Sequence, residues 1–290
     1  MKVLVTGVKG QLGHDVVEEL KKRDHTAVGV DVEEMDITDK TAVEKTVKAV
    51  HPDVVIHCAA WTAVDAAEAK ENRDKVFAIN AYGTENIAKT CKSINAKMIY
   101  ISTDYVFDGQ GDKPWQPDDK SYSPLNVYGE SKLKGEFAVK DNLEKFFIVR
   151  IAWVFGLNGK NFIKTMLNVA KTHDTVKVVN DQIGTPTYTK DLARLLVDMA
   201  ETEKYGYYHA TNEGGYISWY DFTKEIYRLA GLSTKVIPVS TEEYGQSIAK
   251  RPFNSRLDKK KLKEKGFTPL PDWKDALKRF YEELKTNGAD

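Results

Sequence analysis

Five short runs of almost unbroken apolar residues, each followed by a stretch with helical spacing, limit what this chain can fold into. The runs are KVLVT (2–6), TAVGVD (26–31), DVVIHCA (53–59), KMIYIST (97–103) and FFIVRIAW (146–153). Strands apolar on both sides are buried on both faces, which points to a parallel sheet between two helical layers. Leu12, Val16 and Leu20 recur at helical spacing after the first run. Asp39 suits an N-cap for a helix reaching about residue 50. Helices are expected over roughly 67–94 and from near Leu125 to about 140, and a short extra strand near Met35–Ile37. The expected class is α/β: a Rossmann-like doubly wound parallel sheet with right-handed crossovers and a smaller C-terminal lobe. Beyond Trp153, helices are expected at 159–173, 189–201, 218–230 and 273–286, and short strands at 175–179, 206–210 and 235–239. The expected division is residues 1–153 and 154–290, with segments interleaved between the two.

The turn between the first strand and the first helix reads TGVKGQLG, with Gly7, Gly10 and Gly13 at a G-x-x-G-x-x-G spacing. Glycine there lets the backbone turn tightly and approach a pyrophosphate, while the helix N-terminus presents free N–H groups. In this position the triplet favours a dinucleotide over a merely tight turn. Asp31 ends the second strand and can accept from ribose hydroxyls while repelling a 2′-phosphate. Glu33 and Glu34 follow it and no arginine sits beside them, so the acids lean toward NADH over NADPH. Asp36 can accept from an adenine amine.

NVYGESK (126–132) places Tyr128 and Lys132 four residues apart, on one face of a helix. A free phenol has a pKa of about 10, and a nearby ammonium stabilises its phenolate. Such a pair can donate a proton to a carbonyl being reduced. Alone, the spacing is common by chance. It gains meaning from the glycine turn upstream and from Ser102 and Thr103, which leave the fourth apolar run at the sheet edge where such folds bind ligands.

Composition excludes other classes. Lys+Arg and Asp+Glu each number 43, so no basic excess suits nucleic acid or an anionic membrane. No apolar run reaches spanning length. Cys58 and Cys91 are too few for a disulfide framework or a zinc cluster, and the six histidines lack ligand spacing. His57 reads as a hydrogen-bonded core residue. Low cysteine use and a direct start into a strand fit the cytoplasm.

Beyond these motifs, STDYVFDG, SPLNVYGESKLKGE, RIAWVFG, NFIKTML, NDQIGTPTY and RPFNSRLD run in order to residue 258. With them the chain resembles the extended short-chain dehydrogenase/reductases, and more narrowly the dTDP-4-dehydrorhamnose reductase family. The resemblance implies that Tyr128 is the proton donor, that Lys132 tunes and orients it, and that Thr103 adjusts it. It implies that Gly10, Gln11 and Leu12 hold the pyrophosphate, Asp31 the adenosine ribose, and Asp36 and Ile37 the adenine. Ala60, Trp61 and Thr62 would meet the cofactor at a strand end. Thr103, Asp104 and Trp153 would hold the sugar, and an indole independently offers a flat apolar face to a pyranose. At the nucleotide end Gln182, Arg251 and Arg256 can hold thymine or the diphosphate, an interlobe salt bridge being an equal reading of the arginines.

The implied reaction is hydride transfer from NADPH or NADH to carbon 4 of dTDP-4-dehydro-β-L-rhamnose, with Tyr128 protonating the alkoxide and no metal required. Two alternatives stand beside it. One is a nucleotide-sugar epimerase or dehydratase. The other is a non-catalytic protein like the regulatory subunit of methionine adenosyltransferase. Some relatives dimerise through carboxylate-bound magnesium. Asp15 matches one such ligand, but Lys190 falls where another carboxylate would be, so a monomer is expected, with a weak dimer as the alternative.

Overall fold

The structure, a computed structural model, describes residues 1–287. Its first half runs β1 Lys2–Thr6, α1 Gln11–Lys22, β2 Thr26–Val30, α2 Lys40–Val50, β3 Val54–His57, α3 Val64–Ala67, α4 Lys70–Phe77, α5 Thr84–Ser93, β4 Lys97–Thr103, α6 Val127–Asn142 and β5 Phe146–Ile151. The second half adds β6 Val154–Phe155, α7 Phe162–Ala170, β7 Thr175–Val179, β8 Ile183–Gly184, β9 Thr187–Tyr188, α8 Thr189–Ala200, β10 Gly206–His209, β11 Ile217–Ser218, α9 Trp219–Ala230, β12 Lys235–Val239, α10 Thr241–Tyr244, α11 Lys260–Glu264 and α12 Trp273–Thr286.

Successive strand residues point to opposite faces, and the apolar runs use both. Val3, Val5, Ile56, Ile99 and Val149 face a layer made by α1 and α8. Leu4, Val55, Met98, Tyr100 and Ile148 face α2, α5 and α6. The sheet is six-stranded and parallel, in the order β10-β5-β4-β3-β1-β2. Strand order therefore reverses between β1 and β3, and ligands bind at the carboxyl ends beside such a switch point. The α/β parallel-sheet class expected from the sequence is the one found.

Two local expectations need amending. No strand forms at Met35–Ile37. Met35 N–H turns back to the Asp31 carbonyl, and Met35 and Ile37 are buried among α2 and α5 residues rather than in the sheet. The stretch 67–94 is not one helix: α3 and α4 are separate, and a π-helical turn, Ala78–Gly83, stands before α5. Single π turns inside helices often mark functional positions. Residues 206–209 form β10, which joins the sheet of the first half. It pairs with β5 in parallel, Gly206 opposite Phe147 through His209 opposite Arg150. The preceding helix α8 packs on the sheet, with Leu192, Leu195, Leu196 and Met199 fully buried.

The remaining second half has its own core, in which Phe155, Tyr188, Phe222, Trp273 and Phe280 are buried together. Short strand pairs β6–β9, β7–β12 and β8–β11 close it. Asn161 caps α7 and also donates to Gln11 Oε1 at 2.9 Å, tying this part to the glycine turn.

One polar junction lies inside the first core. Arg150 on β5 and Glu136 on α6 are fully buried and pair at 2.7 Å. Arg150 Nε donates to Glu136 Oε1 and Nη2 to Oε2, and Ser102 Oγ donates to Oε1 at 2.5 Å. Removing one partner strands a buried charge. Arg150→Met should lose about 3–5 kcal/mol of stability in urea denaturation, and the double variant Glu136→Met/Arg150→Met should regain most of it.

Candidate active site

A cleft of about 1190 Å³ runs along the carboxyl ends of the central strands, from the glycine turn to Trp153. Gly7 has φ +70°, and a Cβ there would stand 2.8 Å from the backbone of Ala59. A Cβ on Gly13 would strike the Gly7 carbonyl. The turn therefore closes only with glycine at both places. Thr6 Oγ1 accepts from Ala59 N–H at 3.1 Å and joins the turn to the end of β3. Gly10 is the N-cap of α1, and no side chain among the described residues caps that helix. Its first N–H groups therefore face the cleft with the positive end of the dipole, an arrangement that fits a pyrophosphate. Gly7, Gly10, Gln11, Leu12 and Gly13 all line this stretch.

Asp31 lies where β2 ends. Its Oδ2 accepts from Lys9 N–H at 3.0 Å and its Oδ1 from Val32 N–H at 2.9 Å, which holds the carboxylate toward the cleft. Asp36 and Ile37 line the next part. Asp36 Oδ1 accepts from both the N–H and the hydroxyl of Thr38. Ala60 and Thr62 line the wall after β3. Trp61, expected beside them, does not: its indole N–H donates to the Ala63 carbonyl and its backbone N–H to Asn80 Oδ1. His57 is a core residue as expected, bonded to Thr6 and Thr84 hydroxyls, with burial lowering its pKa to about 3.

Thr103, Tyr128 and Lys132 all line the same cleft. Tyr128 enters from the first turn of α6, which Asn126 caps through Gly129 N–H at 2.8 Å and Glu68 through Val127 N–H at 2.8 Å. The Thr103 hydroxyl lies close enough to favour the ionised form of the phenol. Burial outweighs that and, with Asp104 beside it, holds the phenol pKa above its ordinary value. Lys132 Nζ donates to the Ile101 carbonyl at 2.6 Å and lies 4.1 Å from the centre of the Tyr100 ring. Burial lowers its pKa to about 7, against the opposing pull of Glu136 one helical turn on. The acid-strengthening expected of Lys132 is thus not a property of the apoprotein, because desolvation acts against charge on both side chains.

At the far end, Asp104 is 2 % exposed; its Oδ1 accepts from Thr103 and its Oδ2 has no hydrogen-bond partner among the described residues. Burial raises its pKa to about 6, with the hydroxyls of Ser255 and Thr103 opposing. An unmatched buried acceptor on a cleft wall calls for a donor from a ligand. Trp153 adopts φ +51°, a left-handed conformation that is strained for a bulky residue, and stacks on Trp219 with ring centres 3.7 Å apart. Both indoles line the cleft.

Gln182, Arg251 and Arg256 are not on its wall. Gln182 Nε2 donates to Thr241 Oγ1 at 3.0 Å. Arg251 pairs with Asp65 at 2.6 Å, across the two halves of the chain, and Arg256 Nη1 donates to Asn254 Oδ1 at 3.1 Å. Of the two readings left open for the arginines, the interhalf salt bridge describes Arg251 in this structure. Asp15 accepts from the Thr189 hydroxyl at 2.5 Å, and Lys190 pairs with Glu283.

Several residues were not anticipated. Asn80, in the π turn, accepts from Trp61 N–H and donates to the Trp61 carbonyl and to Ser131 Oγ, joining the β3 end to α6. Trp219, Tyr105, Lys75 and Lys160 line the cleft. The aromatic run around Trp219, GYISWYDF (215–222), reads in the sequence as packing of the smaller lobe.

The sequence matches the family described as RmlD substrate binding domain over residues 1–286. It is 39% identical over 282 residues to the spore coat polysaccharide biosynthesis protein SpsK of Bacillus subtilis, covering 97% of each chain. A dTDP-4-dehydrorhamnose reductase from Clostridium acetobutylicum superimposes with a TM-score of 0.94 at 44% identity, over 98% of this chain and 100% of that one. The corresponding enzyme of Bacillus anthracis, solved in complex with NADP, does so with a TM-score of 0.92 at 41% identity, again over 98% and 100%. Since both the family match and these relatives span nearly the whole sequence, the chain belongs to the dTDP-4-dehydrorhamnose reductase family of extended short-chain dehydrogenase/reductases.

Proposed function

We propose that the chain is an NAD(P)H-dependent oxidoreductase that reduces dTDP-4-dehydro-β-L-rhamnose to dTDP-β-L-rhamnose. The observation that carries this reading is one cleft lined together by the glycine turn, by Thr103, Tyr128 and Lys132, and by Asp104 and Trp153. A bound dihydronicotinamide supplies the hydride for carbon 4 of the sugar. The α1 N-terminus and Asp31 hold the cofactor's pyrophosphate and ribose. Tyr128 delivers its proton to the alkoxide oxygen, and Thr103, on turning its hydroxyl away from Asp104, donates to the resulting phenolate. Lys132, when charged, stabilises that phenolate. Asp104 Oδ2 accepts from a sugar hydroxyl, and the Trp153–Trp219 pair walls the ring.

In this reading residues 1–153 mainly bind the cofactor and residues 154–290 mainly the sugar nucleotide, interleaved where α8 and β10 return to the sheet. Gln182, Arg251 and Arg256 serve the nucleotide end only after giving up their present partners. The product feeds polysaccharide assembly, in keeping with the name of the Bacillus subtilis relative. The cytoplasm suits the free thiols of Cys58 and Cys91, and no helix among the described residues is long and apolar enough to cross a membrane. A monomer suits Lys190, which engages Glu283 within the chain.

Purified protein should oxidise NADH or NADPH when given dTDP-4-dehydro-β-L-rhamnose; absence of turnover with both would overturn the reading. Tyr128→Phe should bind cofactor normally, by nicotinamide fluorescence, and lose at least about a hundredfold in kcat, the scale of general acid catalysis. The pH profile of kcat/KM reports groups of the free enzyme. Below about 6 Asp104 becomes neutral and stops accepting, and above about 7 Lys132 loses its charge. The profile should therefore be narrow, peak between those values and fall on both sides. Asp104→Asn should flatten the acid limb.

A further inference from the structure

The adenosine end of the cleft carries an ion pair that the proposed chemistry does not use. Lys9 leaves the glycine turn, and its Nζ pairs with Glu33 at 2.7 Å, both side chains being 60% exposed. Its backbone N–H meanwhile donates to Asp31 Oδ2 at 3.0 Å, so the same residue touches two acids of the β2–α2 loop. Glu34 is in that loop too, its Oε2 accepting from Asp31 N–H at 2.9 Å. Glu33 alone pairs with the ammonium, while Asp31 and Glu34 stand near enough to add to the negative field on it. No arginine lines the cleft among the described residues, and its other lysines, Lys75, Lys132 and Lys160, belong to other stretches of the wall.

A 2′-phosphate on the adenosine ribose carries about −1.5 to −2 charges, as other phosphomonoesters do. Against Asp31 it would need a cation close by, and Lys9 is the one placed there. We infer that Glu33 selects NADH over NADPH by holding Lys9 away from the position of a 2′-phosphate. This rests on the reductase reading above, since it presumes that Asp31 marks the adenosine ribose. The pair acts on the phosphate in two ways: Glu33 repels it directly, and it occupies the cation that would offset Asp31. NADH, with a free 2′-hydroxyl, meets neither effect.

The test is equilibrium titration of the full chain with NADH and with NADPH, followed by nicotinamide fluorescence, without sugar. Wild type should bind NADH the more tightly. Glu33→Gln should raise NADPH affinity about fivefold at low salt, as expected for exposed charges, and the gain should shrink in concentrated salt. Its NADH affinity should stay within about twofold, because the 2′-hydroxyl is uncharged. The double variant Lys9→Met/Glu33→Gln should lose most of the gain. Equal affinities in wild type, no change in Glu33→Gln, or a full gain surviving in the double variant would each overturn the inference. Failure to bind either cofactor would overturn both this and the reductase reading. Binding as described without turnover of the ketosugar would sink the reductase reading alone.

Discussion

Glu136 and Arg150 join α6 to β5 in the middle of the molecule, and the groups of the proposed chemistry are positioned from that junction. Helices usually dock through an apolar stripe. The buried residues of α6 instead include Gly129, Ser131, Lys132, Gly135 and Glu136, with Val127, Leu133 and Val139 as its buried aliphatics. What fixes the helix is hydrogen bonding at close range. Arg150 forks onto Glu136, Ser102 adds a third donor, and the Tyr100 hydroxyl reaches the Lys132 carbonyl. Gly135 permits that approach, since a Cβ there would collide with the Tyr100 hydroxyl. A polar dock of this kind is intolerant of sliding, because each bond depends on direction as well as distance.

The same junction explains how a lysine comes to lie in a dry interior. The tip of Lys132 meets a carbonyl and an aromatic face. Glu136 sits one turn along and supports its charge, but that carboxylate is already shared with Arg150. The ammonium is therefore held near the edge of ionisation, where a small electrostatic change at the cleft alters it most. Asp104, at the other side of Tyr128, is poised in the opposite sense. Two groups whose environments push them toward neutrality from both ends are a recurrent arrangement around acid–base chemistry.

Much of this was legible in the sequence because it is local. Asp39 caps α2 through Thr41 and Ala42, as its place before the helix suggested. The glycine turn needs its glycines for reasons visible in the spacing. Tyr128 and Lys132 share a face because a helix makes them do so. What escaped was set by distant contacts. The backbone of Trp61 is captured by Asn80, nineteen residues on. Arg251 is committed to Asp65, 186 residues earlier in the chain. The polar side chains of NDQIGTPTY, which looked free for a ligand, are largely spent internally: Asn180 on Ser218, Thr185 on Gly215, Thr187 on Ala152. A run of amides and hydroxyls announces hydrogen bonding but not the partner, and no spacing rule supplies it.

The return of β10 to the edge of the sheet bears on how the polypeptide matures during synthesis. Until residues 206–209 leave the ribosome, β5 offers an open row of backbone donors and acceptors, and the apolar face meant for α8 is bare. Exposed edges and uncovered faces are where nascent chains associate wrongly. The first half is complete in sequence long before it is complete in space, so its final closure is timed by the emergence of the half that follows.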